Sequence, residues 1–178
     1  MPVGPFGDLG PCEIEWNDTT ITAIHEDGAE FNLTMGTADI KEGAFGASIV
    51  DKVATGYELC EVKAPFTRLT YANLQKLIPG SSVSGSYAVR GHGGNMVGTS
   101  LYDLSYELIV KRIVNGVADT TGHYWLHLFK TYPIPNFNIP FRFADGQRGF
   151  MVTFPAFPLQ AASNMDAIGA TWRIGGDK

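Results

Sequence analysis

YELCEVKAPFTRLTYANLQKLIPG, residues 57 to 80, sets two periodicities back to back. From Tyr57 to Phe66 the chain alternates, with Cys60, Val62, Ala64 and Phe66 on one face while Glu58, Glu61 and Lys63 bring charge nearby, and this predicts a strand. Pro65 has no amide hydrogen to give a ladder, so the strand ends there or lies at an edge. Thr70 is suited to cap the turn that follows. Leu74, Leu77 and Ile78 form one apolar stripe with Asn73, Gln75 and Lys76 turned away, which predicts a short helix over about residues 70–78, stopped by Pro79-Gly80. Two turns of helix are not stable alone in water, so this one must rest on a sheet.

Strands dominate on either side. Cys12, Ile14 and Trp16 alternate with Glu13 and Glu15, and Asn17-Asp18 turns the chain. Phe31, Leu33 and Met35 alternate with Glu30, Asn32 and Thr34. Thr99 to Lys111 reads as the clearest strand, with Tyr102, Leu104, Tyr106, Leu108 and Val110 on one face and Thr99, Asp103, Ser105, Glu107 and Lys111 on the other. Asn115-Gly116 marks the next turn. Further strands are predicted at Ser81 to Arg90, weakened by small residues, and at Gly122 to Lys130, Arg148 to Phe154 and Ile168 to Ile174. The expectation is a mainly β chain with one flanking helix, folded as a single domain over residues 1–178.

Four segments carry no such period. Residues 1–11 hold three prolines and three glycines and read as an N-terminal arm. Residues 36–56 scatter Asp39, Lys41, Glu42 and Asp51 among small residues and four glycines; a stretch this long without a period is a functional segment, a long hairpin or loop reaching a neighbouring subunit, or else a solvated surface loop. Between Tyr132 and Pro158 lie five of the ten prolines together with Phe137, Phe141, Phe143, Phe150, Phe154 and Phe157, a density that must press onto protein. Residues 175–178 read as a frayed end.

Over 178 residues, 44% are hydrophobic and 17% charged, against the usual quarter of about 25%, so part of the surface is expected to be covered by further copies of the chain. A net charge of -5 with no run of Lys or Arg argues against adhesion to nucleic acid. Cys12 and Cys60 sit in alternating runs and are expected to be buried thiols in a reducing compartment. No 18 apolar residues run together and the first residues show no basic-then-apolar leader, so neither a membrane span nor export by that route is expected. The glycines at 91, 93 and 94 lack the companions of a phosphate cradle and read as a hairpin turn. His123 and His127 on a strand stand about 13 Å apart, too far for one metal, and Asp103 and Glu107 are as far apart, too far for paired carboxylate chemistry. No nucleophile, metal or redox motif is present, and the reading is a protein that is not an enzyme and carries no cofactor.

Gly10-Pro11-Cys12-Glu13-Ile14-Glu15-Trp16, the small-residue segment leading to Thr55-Gly56, and the strand-helix-Pro-Gly run from Tyr57 to Gly80 resemble the tail tube (major tail) proteins of long, non-contractile-tailed bacteriophages. Asn17-Asp18-Thr19 stands where such proteins usually carry an Asp-Gly turn. The resemblance implies a β-sandwich or barrel-like fold with one flanking helix, assembled as hexameric rings stacked into a hollow tube. The implied setting is the virion tail, built from subunits made in the host cytoplasm. Other tail proteins (tape measure, terminator, baseplate) are the implied partners, and DNA passes through without specific binding. A long inter-ring loop is implied too, and by matching order it falls on residues 36–56, with Asp39, Lys41, Glu42, Phe45 and Asp51 as contact residues. A wall that lets DNA slide needs acidic and neutral groups rather than rows of Lys or Arg, which makes Thr99, Asp103, Ser105 and Glu107 the candidate lumen-facing set. Two alternatives stand beside it: a related virion ring such as a terminator, adaptor or baseplate part, or a barrel holding an apolar ligand between Trp125, Phe150 and Phe154.

Overall fold

The computed structural model describes residues 11–21, 28–42, 48–67, 70–85, 89–91, 96–122, 125–135, 150–161 and 167–175. Their strands are β1 (Cys12–Trp16), β2 (Thr19–Ile21), β3 (Glu30–Glu42), β4 (Ser48–Phe66), β5 (Ser81–Val83), β6 (Val89–Gly91), β7 (Tyr106–Val114), β8 (Val117–Ala118), β9 (Leu126–Thr131), β10 (Ile134–Pro135), β11 (Phe150–Pro155) and β12 (Trp172–Ile174), with one helix, α1 (Tyr71–Leu77). The chain is mainly β, as the alternation predicts.

Two antiparallel sheets face one another. The first runs β12-β9-β7-β1-β2, with β8 on the end of β7, and the second runs β10-β11-β4-β3. Both press their apolar faces into one core: Ile14, Trp16, Ile21, Leu108 and Leu128 from the first, Val62, Ala64, Phe66, Val152 and Phe154 from the second. Trp16 sits between the layers, edge-on to Tyr106 and Tyr132 and tilted against Phe154 at 6.3 Å between ring centroids, while its indole N–H donates to the Thr131 carbonyl. Phe154 thus fills the interior rather than lining a ligand cavity. The Cys60, Val62, Ala64, Phe66 face is buried as its spacing requires. Pro65 falls past the last β3 pairing, Glu30 with Lys63, so the donor it lacks is not asked for on that side.

Local chemistry explains the connections. Asn17 and Asp18, at φ 51° and 52°, make the left-handed two-residue turn that matches the twist of β1 and β2, and Asn115 with Gly116 does the same for β7 and β8. Thr70 caps α1 by accepting from the Asn73 amide at 3.1 Å, and Leu77 alone is fully buried from the helix. Cys12 and Cys60 are buried free thiols.

Three expectations need correction. The alternation from Thr99 is a strand only from Tyr106 onward; residues 101–104 are turns, and the Ser105 hydroxyl donates to the Tyr102 carbonyl at 2.6 Å instead of facing solvent. Ser81 to Arg90 is not one strand but two short ones, β5 and β6, paired with each other. The strand expected at Ile168 to Ile174 is confined to Trp172–Ile174, with a turn at 168–169. Of the hairpin and loop readings of residues 36–56, the described part agrees with the hairpin: it is the outer half of the β3–β4 pair.

Candidate functional site

The β3–β4 hairpin changes character along its length. From Glu30 to Thr34 and from Leu59 to Phe66 it belongs to the second sheet, whereas beyond Met35 and Tyr57 it leaves the body as a two-stranded ribbon. In register, Ala38 faces Val53 and Ile40 faces Asp51, while Thr37 faces Ala54 and Asp39 faces Lys52. Side chains alternate across a pleat and paired residues share a face, so Ala38, Ile40 and Val53 lie on one face together with Asp51, and Thr37, Asp39, Lys41, Lys52 and Ala54 on the other.

The two faces are unequal. Lys52 reaches Asp39 at 2.8 Å on the polar face, an exposed pair of little energetic weight. On the apolar face Ile40 and Val53 are 44% and 47% exposed, with no core beneath them. Nearer the root Met35, Tyr57, Leu33 and Leu59 are also open to solvent. Single exposed apolar side chains are ordinary; several on one face of a projecting ribbon are less so. The far edge of β3, ending the second sheet, adds unpaired backbone donors and acceptors among the described residues.

Of the inter-ring residues expected from the sequence, Asp39, Lys41 and Asp51 are exposed on this ribbon, Glu42 ends β3 opposite Ser48, and Phe45 lies outside the described residues. The residues missed were Ala38, Ile40 and Val53. Their signal was the alternation Ala38-Asp39-Ile40-Lys41, too short to stand out.

The four lumen candidates do not form a row. Thr99 and Asp103 are exposed on turns, Ser105 is buried, and Glu107 stands on β7. Glu107 accepts or shares a hydrogen bond with His127 Nδ1 at 2.8 Å across β7 and β9, on the outward face of the first sheet. On the same face Lys111 Nζ donates to Glu15 Oε2 at 2.5 Å and lies 4.5 Å from the Trp125 ring centre. Beside them Glu15, Asn17, Asp18, Tyr106, Glu107 and Ile109 line a cavity of about 220 Å³. Its walls hold carboxylates, an amide, a phenol ring and Ile109. Among the described residues no group of three His, Cys, Asp or Glu side chains has a metal-holding arrangement, and no helix is long and apolar enough to cross a membrane. The geometry of the ribbon makes it the stronger site. A scan against protein-family models finds no match, and a search of curated proteins finds no significant relative.

Proposed function

We propose that the chain is a structural subunit that assembles with copies of itself, and that it serves as the tail tube protein of a long, non-contractile phage tail. The exposed face of the ribbon carries this reading: Ala38, Ile40 and Val53 are patterned for burial, and among the described residues nothing buries them. Head-to-tail contacts close rings or propagate as filaments. The free edge of β3 suits sideways closure, and a projecting ribbon suits contact along the axis.

A lumen wall fits the outward face of the second sheet better than the four residues first chosen. Glu30, Asn32, Thr34 and Thr153 share that face with Leu59, Ile134 and Met151 and with Lys63, whose ammonium is held by the buried Glu61 at 2.9 Å. Among the described residues of that face the one cation is paired with Glu61, so they offer a passing polyanion no basic row.

The test is electron microscopy of the concentrated protein, which should show rings or tubes, beside an Ile40→Lys/Val53→Lys variant. Because those positions touch no core, the variant should keep its stability within about 0.5 kcal/mol and lose assembly. A full-length protein that stays monomeric at high concentration overturns the reading, as does a variant that assembles normally. Single capped rings in place of tubes would favour the terminator or baseplate alternative.

A further inference from the structure

The β3–β4 ladder is uneven in one direction only. Thr34 pairs with Leu59 but Met35 with Tyr57; Gly36 pairs with Gly56 but Thr37 with Ala54; Ile40 pairs with Asp51 but Lys41 with Ile49. Glu58, Thr55 and Val50 are therefore extra residues, all on β4, and two of them bracket the Gly36–Gly56 pair at the point where the ribbon leaves the body. A bulge lengthens its own strand and bends the pair, so β4 takes the outside of the bend.

Gly36 and Gly56 are there for different reasons. Gly56 has φ +114°, a conformation that side-chain-bearing residues rarely adopt. Gly36 has an ordinary backbone but no space: a Cβ there would lie 2.4 Å from Thr55 Oγ1 and 2.7 Å from Glu58 Cγ and Oε1. The two extra residues thus fold their own side chains onto the one position that has none.

We propose that Gly36, Thr55 and Glu58 form a fixed elbow that sets the angle at which the ribbon leaves the body, and that they are the positioning residues of the docking arm. Gly36 is itself buried, covered by the otherwise exposed side chains of Thr55 and Glu58. What the arm reaches rests on the assembly reading above; the elbow does not, and it is measurable in the lone subunit. From Gly36 to Lys41 is about 16 Å at roughly 3.3 Å per residue, so a change of about 15° at the elbow carries Lys41 through about 4 Å.

Nitroxide labels at Lys41→Cys and Asp103→Cys, both exposed, report the arm angle by pulsed electron spin resonance in dilute monomer. One narrow distance distribution is expected for the parent. Gly36→Ala should move or broaden it by several ångströms, and adding Thr55→Ala and Glu58→Ala, which delete the atoms in the way, should restore it. Gly56→Ala should also displace the arm, but without rescue by the same pair, since its fault is backbone strain. Should Gly36→Ala fail to fold, Thr55→Ala/Glu58→Ala alone must broaden the distribution by unpacking the joint. A broad parent distribution, a Gly36→Ala distribution like the parent's, or a shift that the added truncations leave in place each overturns the elbow. Loss of tubes with an unmoved arm angle would instead count against the assembly reading alone.

Discussion

At the scale of single residues, the core is held by aromatic side chains that cross from one sheet to the other. Phe154 is fully buried and touches Trp16, so Phe154→Ala should cost about 3–5 kcal/mol. For a chain of this length that is a fall in melting temperature of about 6–20 °C, readable by circular dichroism. The thiols give a prediction of a different kind. Burial, and secondarily the neighbouring Glu61 carboxylate, push the Cys60 thiol from 9.0 up to about 11, and burial raises Cys12 as well. Since the unfolded chain gives up these protons near pH 9 while the folded one keeps them, the stability they contribute is complete below that pH and is lost as pH rises toward about 11. Urea midpoints at about pH 8 and about pH 10.5 should show the drop, and Cys60→Ala should flatten it. The low value of Asp119 works in the opposite sense: hydrogen bonds from the Thr121 amide and hydroxyl hold the carboxylate, as does Arg112, so its contribution disappears in acid.

At the scale of elements, what could be read from the sequence was whatever kept a constant period. The Cys60 to Phe66 face and the Phe150, Val152, Phe154 face pack against one core, so pattern and burial agree there, whereas only Leu77 of the α1 stripe reaches it. Asn17-Asp18 and Asn115-Gly116 were legible because few dipeptides accept left-handed geometry. Residues 36–56 read as patternless for a physical reason: each extra residue in β4 reverses which face the following side chains take, so three of them scramble a two-residue period that is present locally. Thr99 to Ser105 erred the other way. Tyr102 and Leu104 do meet neighbours, Leu104 packing on the core and the Tyr102 hydroxyl accepting from the Gln160 amide, so their spacing satisfied burial from a turn. The helix offers the clean test at this scale. Thr70→Ala leaves the Asn73 amide without its acceptor and should cost about 1 kcal/mol, with Thr70→Ser recovering most of it.

At the scale of the whole molecule, stability is divided between a body with two apposed sheets and a ribbon with none behind it. Hydrogen exchange should separate them: amides of β1, β7 and β9 slowest, those of Thr37 to Lys41 and Asp51 to Ala54 fast in dilute monomer. On concentration the ribbon amides and those on the free edge of β3 should slow while β1, β7 and β9 stay unchanged. In the proposed assembly, contact through Ala38, Ile40 and Val53 should be promoted by sulfate.

Strand order also has a consequence for how the protein is made. β1 is completed only by β7, with Glu15 meeting Lys111 96 residues further along, and β4 only by β11. At about 5–20 residues per second the ribosome needs roughly 5–20 s to supply that partner. Residues 61–66 of β4 are likewise born before the β11 strand that pairs with them, and that edge is open to premature pairing until translation is nearly over.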